Sequence, residues 1–375
     1  MDTGAARFDQ GGAVPALGGD PIRAVVEQAI APDVERIDRH GFYPEAGLRL
    51  LGEAGAFSGH LAAHTSWERR SIAAAIRAMA TVAETCMSTA FCVWCQDTCG
   101  WYLEQTPNQA LRDRLQPGIA TGEILGGTGL SNPVKALAGI ERFRLRGTRV
   151  DGGWCVIGVL PWVSNLGEGH WFGTIFEIED GRTRRVMAMF CCGQNGIEIR
   201  QNAHFVALEG TGTYSIRFRR AFVPDADVLA DPIDEVLPRI RPGFVLLQTG
   251  MGFGVIAGAA RQMRHDDVSY AHTNRYLPHG ASFFEDEGAA LRERMVELAD
   301  APGRGRDYLR AVLELRLAVS ELTLAATQAG VLHGGARGYL EGSDIERRQR
   351  EGNFVALITP SIRHLRQEIA ALSSN

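Results

Sequence analysis

The chain has 375 residues, of which 45% are hydrophobic and 22% charged, with a formal net charge of −5. That is enough to bury the cores of two or three domains, and the acidic balance leaves no basic surface for nucleic acid. No apolar run approaches the roughly 18 residues of a membrane span, and the opening MDTGAARFDQGGAVPALGGD lacks the basic start and apolar core of a signal peptide, so a soluble, cytoplasmic protein without a membrane or nucleic-acid partner is expected.

Residues 1–20 are rich in Gly, Ala and Asp without periodicity and read as a flexible arm. From 21 to 116 the apolar spacing is helical. Two helices broken at HGFYP are followed by two more across SWERRSIAAAIRAMATVAETCMSTAFCVWCQDTCGWYLEQ. Within the last of these, Cys92, Cys95 and Cys99 make a C-x2-C-x3-C pattern. A metal cluster would require a fourth thiolate on a converging loop, whereas i, i+3, i+7 spacing in an apolar helix predicts reduced, buried thiols. Adjacent Cys191 and Cys192 cannot readily bridge each other, and nothing calls for an oxidising compartment.

Between 117 and 231 the period shortens to 2. ERFRLRG, TRVDGG, WCVIGVLPW, HWFGTIFEIEDG, RRVMAMFCC, GIEIRQNAHFVAL and GTYSIRFRRAFVP read as short strands of an antiparallel barrel. From 232 to 375 the pattern is helical again, in four long segments that predict a four-helix bundle. The fold class is therefore α+β and multidomain: an N-terminal helical domain, a middle β-barrel and a C-terminal bundle. GMGFGVIAG (Gly250 to Gly258) imitates a strand–GxGxxxG–helix nucleotide fingerprint, but no acidic residue about 20 positions on closes a second strand, so its glycines are read as contacts between helices.

Two β-prone segments carry the chemistry. GGTGLSNPVK (Gly126 to Lys135) ends in a Ser-Asn-Pro turn, and GGWCVIGVLPWVSN (Gly152 to Asn165) ends in Trp-Val-Ser-Asn. An indole and hydroxyls gathered at strand ends can bracket a planar heteroaromatic ring, the indole covering a face and the hydroxyls reaching the polar edge. These segments resemble the ALTEP and KxWITN segments of the acyl-CoA dehydrogenase superfamily of flavoenzymes. The helical opening with its DRHGFYP turn and the strand exit at Gly210 to Ala230 are similar to the same family, so the resemblance covers about residues 20 to 370.

The resemblance implies a noncovalent flavin, FAD with FMN possible, held by Thr128, Leu130, Ser131, Trp162 and Ser164. Gly334 and Gly335, in VLHGGARGYL, correspond to a turn that meets a neighbouring subunit's FAD diphosphate. Val331 stands where the family has Gln, and in YAHTNRYLPHG Asn274 takes the arginine position with Arg275 one step on. A homo-oligomer, most simply a homotetramer, follows from that turn.

Desaturating an acyl thioester needs a carboxylate to remove the α-proton while hydride goes to the flavin. Alignment through Glu346, Arg347 and Arg350 puts Thr359 at the family's glutamate position and Pro360 at its glycine; the alternative position falls near Phe244. Neither supplies a base, and VKALAG replaces the family's GAGSD loop. The catalytic residue is therefore unknown from sequence, with His364, Lys135 and His333 as candidates. Cys95 and Gln96, with Asp97 beside them, lie on the helix that lines the family's acyl pocket and are substrate-binding candidates together with Phe244. His265, His272 and His279 recur every seven residues without a completing carboxylate, and no metal site is assigned.

Three functions fit. A flavin dehydrogenase acting on a C–C bond of an acyl thioester or related carbonyl compound would pass electrons to a flavoprotein acceptor. A monooxygenase of the same fold would draw reduced flavin from a reductase and use oxygen. A non-catalytic flavin-fold subunit would only bind.

Overall fold

A computed structural model describes residues 20–62, 65, 70–178, 184–201, 203–303 and 305–374. The expected arm, apart from Asp20, lies outside the described residues. Asp20 accepts the Ile22 amide at 3.0 Å and starts α1 (Pro21–Val25), with Pro21 at the first helical position. The chain turns through short π and 3-10 segments into α2 (Val34–His40), which stops at Gly41 in left-handed conformation, φ +68°. HGFYP thus breaks the helices as its Gly and Pro require, and α3 (Glu45–Glu53) follows.

Helices α4 (Ile72–Ala83) and α5 (Met87–Gln105) match the expected pair. α6 (Gln109–Thr121) carries Pro117 inside it, so the expected boundary at 116/117 falls within a helix that ends only at Gly122, φ +74°. The helix outlasts its proline because a single missing N–H donor is tolerated where Leu111, Leu115 and Ile119 are buried along one face.

The middle region comprises β1 (Gly126–Thr128), the short helix α7 (Ser131–Leu137), β2 (Leu145–Val150), β3 (Gly153–Val163), β4 (Trp171–Ile178), β5 (Arg185–Cys191), β6 (Ile197–Arg200), β7 (Tyr214–Pro224) and β8 (Val228–Ala230). The expected ERFRLRG and TRVDGG strands are one strand, β2. The sheet runs β6-β7-β3-β2-β4-β5-β8 with β1 on β4, and the β1–β4 and β2–β4 pairs are parallel. The expected all-antiparallel barrel is therefore a mixed sheet whose described hydrogen bonds leave it open between β6 and β8. It still curls around its own core, in which Phe190 meets Phe172 at 5.8 Å and the edge of Phe218 at 5.1 Å.

After β8 come α8 (Leu237–Leu247), α9 (Thr249–Asn274), α10 (Ala281–Asp300), α11 (Arg306–Gly334), α12 (Asp344–Leu357) and α13 (Ile362–Ser373). The last expected helix is split at 358–361, where Pro360 cannot continue it. The stretch Leu237–Asn274 has a window of mean hydropathy 1.5, but that window is 94% buried in the protein. Gly250, Gly254 and Gly258 form one stripe on α9. A Cβ at these positions would stand 2.8, 2.4 and 2.8 Å from the carbonyl oxygens of Ile76, Ala80 and Glu84, so the stripe lets α9 lie directly on α4 and the residue after it. The GMGFGVIAG glycines are helix contacts, as the sequence suggested. One continuous core joins α3, α4 and α5 to α8, α9 and α11, so the two helical regions, far apart in sequence, pack as one layer beside the sheet.

Candidate functional site

Thr128 and Ser164 are backbone bridge partners, so the two chemistry-bearing segments do meet. The joint is fastened from behind. Asn165, at φ +62°, donates through Nδ2 to the Gly126 carbonyl at 2.7 Å and accepts the Tyr43 hydroxyl at 2.7 Å. Thr128 Oγ1 lies 2.5 Å from the Tyr102 hydroxyl. A non-glycine residue in left-handed conformation is costly, and here it aims the end of β3.

Trp162 is 51% exposed beside partly exposed Phe205, ring centroids 6.5 Å apart at 73°. Ser164 follows two residues on, past a shift of the β3–β7 register between Leu160 and Val163, and is buried. The Ser164 hydroxyl lies 2.7 Å from Thr213 Oγ1, which lies 2.8 Å from Thr211 Oγ1, which donates to the Leu208 carbonyl at 2.8 Å.

Three residues beyond Thr128, Ser131 Oγ lies 3.1 Å from Thr359 Oγ1. The Thr359 carbonyl accepts Gln248 Nε2 at 2.8 Å, and Gln248 Oε1 accepts Arg316 Nε at 2.9 Å. Arg316 is fully buried and otherwise donates to Ser320 and, at 2.6 Å, to the Val355 carbonyl. With only neutral partners, burial pulls its guanidinium down to about 9. Thr359 is thus held opposite Ser131 by a relay from α11 through Gln248, at the junction of α8 and α9.

Next to this contact, Leu130, Val134, Leu137, Leu237, Ile240, Arg241 and Phe244 surround a cavity of only about 10 Å³, room for about one water. Aromatics fill the neighbouring space: Trp94 packs on Phe91 at 5.6 Å and on the edge of Phe244 at 5.2 Å, and Phe91 meets Phe354 at 4.8 Å.

The other sequence candidates fall elsewhere. Gln96 is fully buried and donates to the carbonyls of Ile119 and Ile124, both at 2.8 Å, while accepting the Gly126 amide at 2.7 Å, so it clasps α6 to β1 with both of its donors committed. Cys95 is sealed between Cys92 and Cys99, and burial raises its thiol well above the usual range. Asp97 is also fully buried, its carboxyl raised by burial. Only Phe244 of the substrate candidates lines the cavity.

Lys135 is paired with Glu141 at 2.7 Å. His364 is buried 3.2 Å from Glu368, which also pairs with Arg241. His333 Nδ1 lies 3.1 Å from Asp267 and its Nε2 3.0 Å from the His279 carbonyl. Lys135 and His333 are in structural pairs, whereas His364 stands beside Glu368, whose partner Arg241 lines the cavity next to the Ser131–Thr359 contact. Arg275 lies on the surface against its neighbour Tyr276.

Sequence reading missed Thr211, Thr213, Gln248 and Arg316. The first two stood in view as GTGTYS, where alternate hydroxyls lead into a strand; the other two gave no signal, because a Gln and an Arg within helical periodicity look like any other.

Residues 19–123 match the model of the acyl-CoA dehydrogenase N-terminal domain. The chain is 24% identical over 353 residues to benzylmalonyl-CoA dehydrogenase of Aromatoleum aromaticum, covering 90% of this chain and 92% of that one. In fold it is similar to butyryl-CoA dehydrogenase from Megasphaera elsdenii, with a TM-score of 0.83 at 15% identity over 94% and 96% of the two chains. It is also similar to dibenzothiophene monooxygenase from Paenibacillus sp. A11-2, at 0.78 and 15% over 95% and 96%, a protein also solved with FMN bound.

Proposed function

We propose, from the premise that this chain is a member of the acyl-CoA dehydrogenase superfamily, that it is a flavin-dependent oxidoreductase acting on an acyl thioester or a related carbonyl compound. The observation that carries the reading is the meeting of Thr128 and Ser164, with a half-exposed Trp162 two residues before Ser164 and the Ser131–Thr359 pair three residues after Thr128. An indole left half in water beside the strand end gains by covering a planar ring, and the hydroxyls reach that ring's polar edge. Bound there, a flavin supplies hydride or single-electron transfer. The chain's own residues hold and orient it: Trp162 against a face, Ser131 and Ser164 at its edge, and Gln248 with Arg316 keeping Thr359 against Ser131. Anaerobic mixing of flavin-loaded protein with a panel of acyl-CoA thioesters, following bleaching of the flavin band, tests the reading; a protein that takes up neither FMN nor FAD overturns it.

The hydroxyl pair favours a second reading. The alignment through Glu346, Arg347 and Arg350 assigns Thr359 to the position where a dehydrogenase of this superfamily carries its base, and a threonine hydroxyl is far too weak a base to remove an α-proton. A monooxygenase fed by a partner reductase has no need of that carboxylate. Oxygen incorporation from reduced flavin, without anaerobic bleaching by thioesters, separates it from the dehydrogenase, whose acceptor would be a flavoprotein.

Of the two flavins we favour FMN. The turn assigned to the FAD diphosphate is open in space, with nothing within 4 Å of a Cβ on Gly335, yet its charges suit an anion poorly. It lies at the C-terminus of α11, the negative end of the helix dipole, and the Gly335 amide already caps that helix on Leu332. Asp266 is buried beneath it with Oδ2 unpartnered and 3.5 Å from a Cβ placed on Gly334, while Arg337 and His333 are engaged by Asp266 and Asp267. Equilibrium dialysis against both flavins decides, and light scattering on the loaded protein tests the homotetramer.

A further inference from the structure

The hydroxyls behind Ser164 can share their protons in only one way. Thr211 Oγ1 gives its single proton to the Leu208 carbonyl at 2.8 Å, so the 2.8 Å contact between Thr211 and Thr213 must be filled by the proton of Thr213. That leaves the 2.7 Å contact between Thr213 and Ser164 to be filled by the proton of Ser164. Any other assignment sets two oxygens less than 3 Å apart with no hydrogen between them. Ser164 has therefore spent its only proton on the protein and has lone pairs alone left for any further partner.

The arrangement is fixed by backbone. Leu208 holds φ +61°, a left-handed conformation that favours glycine, and is 2% exposed; Thr211 is also 2% exposed, and its carbonyl accepts the Asn165 amide at 2.9 Å. Asn165 follows Ser164 and is left-handed too, at φ +62°. Two non-glycine residues in this conformation, one at each end of a four-residue relay, are consistent with a tuned site.

We propose that Thr211 and Thr213 are positioning residues that make Ser164 an obligate hydrogen-bond acceptor toward a bound ligand, so that the site prefers a ligand edge carrying an N–H over one carrying only a lone pair. For a flavin ring this distinguishes oxidation states, since the central ring nitrogen is an acceptor when oxidised and an N–H donor when reduced. The relay biases the site toward the reduced flavin. This rests on the flavin reading above and adds the direction of the bond and the residues that set it.

The readout is the ratio of dissociation constants for oxidised and reduced flavin, measured anaerobically and checked by the midpoint potential of the bound flavin against the free one. Thr213→Val frees the Ser164 proton to turn toward the ring, and the ratio should move toward the oxidised form by about three- to tenfold, the worth of one neutral hydrogen bond. Thr213→Ser keeps the hydroxyl and should retain the wild-type ratio, which a merely structural role for the methyl group would not predict. Thr211→Val is the second variant should Thr213→Val fail to fold, because it lets Thr213 reverse and gives the same direction of change. Flavin bound with an unchanged ratio in the valine variants, or serine and valine variants moving together, overturns the relay and leaves the flavin reading standing. Failure of the wild-type protein to bind any flavin overturns both.

Discussion

Replacing Thr359 by Glu tests the most consequential feature of the candidate site. The side chain begins where Oγ1 now lies 3.1 Å from Ser131 Oγ, and its backbone is held by Gln248 at 2.8 Å. A glutamate carboxylate oxygen reaches roughly 2.5 Å further, one C–C and one C–O bond, beside the small cavity that Leu130 and Phe244 line. The exchange forfeits one hydroxyl contact, about 1 kcal/mol, though the Ser131 hydroxyl can donate to the new carboxylate, so the variant should still fold. A positioned general base contributes about 10²–10⁴ in rate, or about 3–5 kcal/mol of barrier. Single-turnover anaerobic reduction of the bound flavin by an acyl-CoA should therefore rise by that factor over the wild type. The rate should climb with pH until the carboxylate is ionised, with a midpoint above the usual ~4.3 because the surroundings are apolar. Thr359→Gln, equal in size but not basic, should stay at the wild-type rate. If the Glu and Gln variants react alike, or the wild type is already fast with straight-chain thioesters, then Thr359 does not stand at the reacting carbon and the absence of a carboxylate there has no bearing on the reaction.

Gly254→Ala should destabilise by about 1–3 kcal/mol in denaturant titration, because its Cβ would come within 2.4 Å of both the Ala80 carbonyl and the Ala83 side chain; an unchanged midpoint would mean α4 and α9 are not in contact there. Gln96→Leu leaves three buried backbone groups without partners and should cost about 3 kcal/mol or more, with ligand affinity unaltered in the folded fraction; lost affinity at unchanged stability would return Gln96 to the substrate site. His60 is fully buried and desolvation lowers it from 6.5 to about 4, so the unfolded state binds the extra proton below pH 6.5 and stability falls between pH 6.5 and 4 by about 3 kcal/mol. His60→Gln should remove that part of the acid slope in urea titrations; parallel curves for both proteins would show that His60 is not buried as a neutral ring.

The sequence by itself determined what depends on local periodicity and backbone stereochemistry. Apolar spacing placed α4, α5, α9 and α11, Gly and Pro broke the chain at HGFYP, and the two segments ending in Ser-Asn-Pro and Trp-Val-Ser-Asn identified the strand ends that meet, whereas the break at Pro360 before α13 was read through as one helix. The cysteine run and the GMGFGVIAG glycines were also legible, because one helical face and one close approach account for them without any ligand. Pairing was not legible. The parallel β1–β4 and β2–β4 contacts join segments dozens of residues apart, and strand period carries no information about partner or direction. Side-chain commitments were hidden for the same reason. Gln96 looked like a pocket residue until α6 and β1 took its amide, and Lys135, His333 and His364 looked available until Glu141, Asp267 and Glu368 occupied them. Only the tertiary structure could bring Arg316 and Gln248 behind Thr359, or line up Thr211 and Thr213 behind Ser164. A residue type states which hydrogen bonds a side chain is able to make, but which of them remain for a ligand is settled by the neighbours that folding delivers.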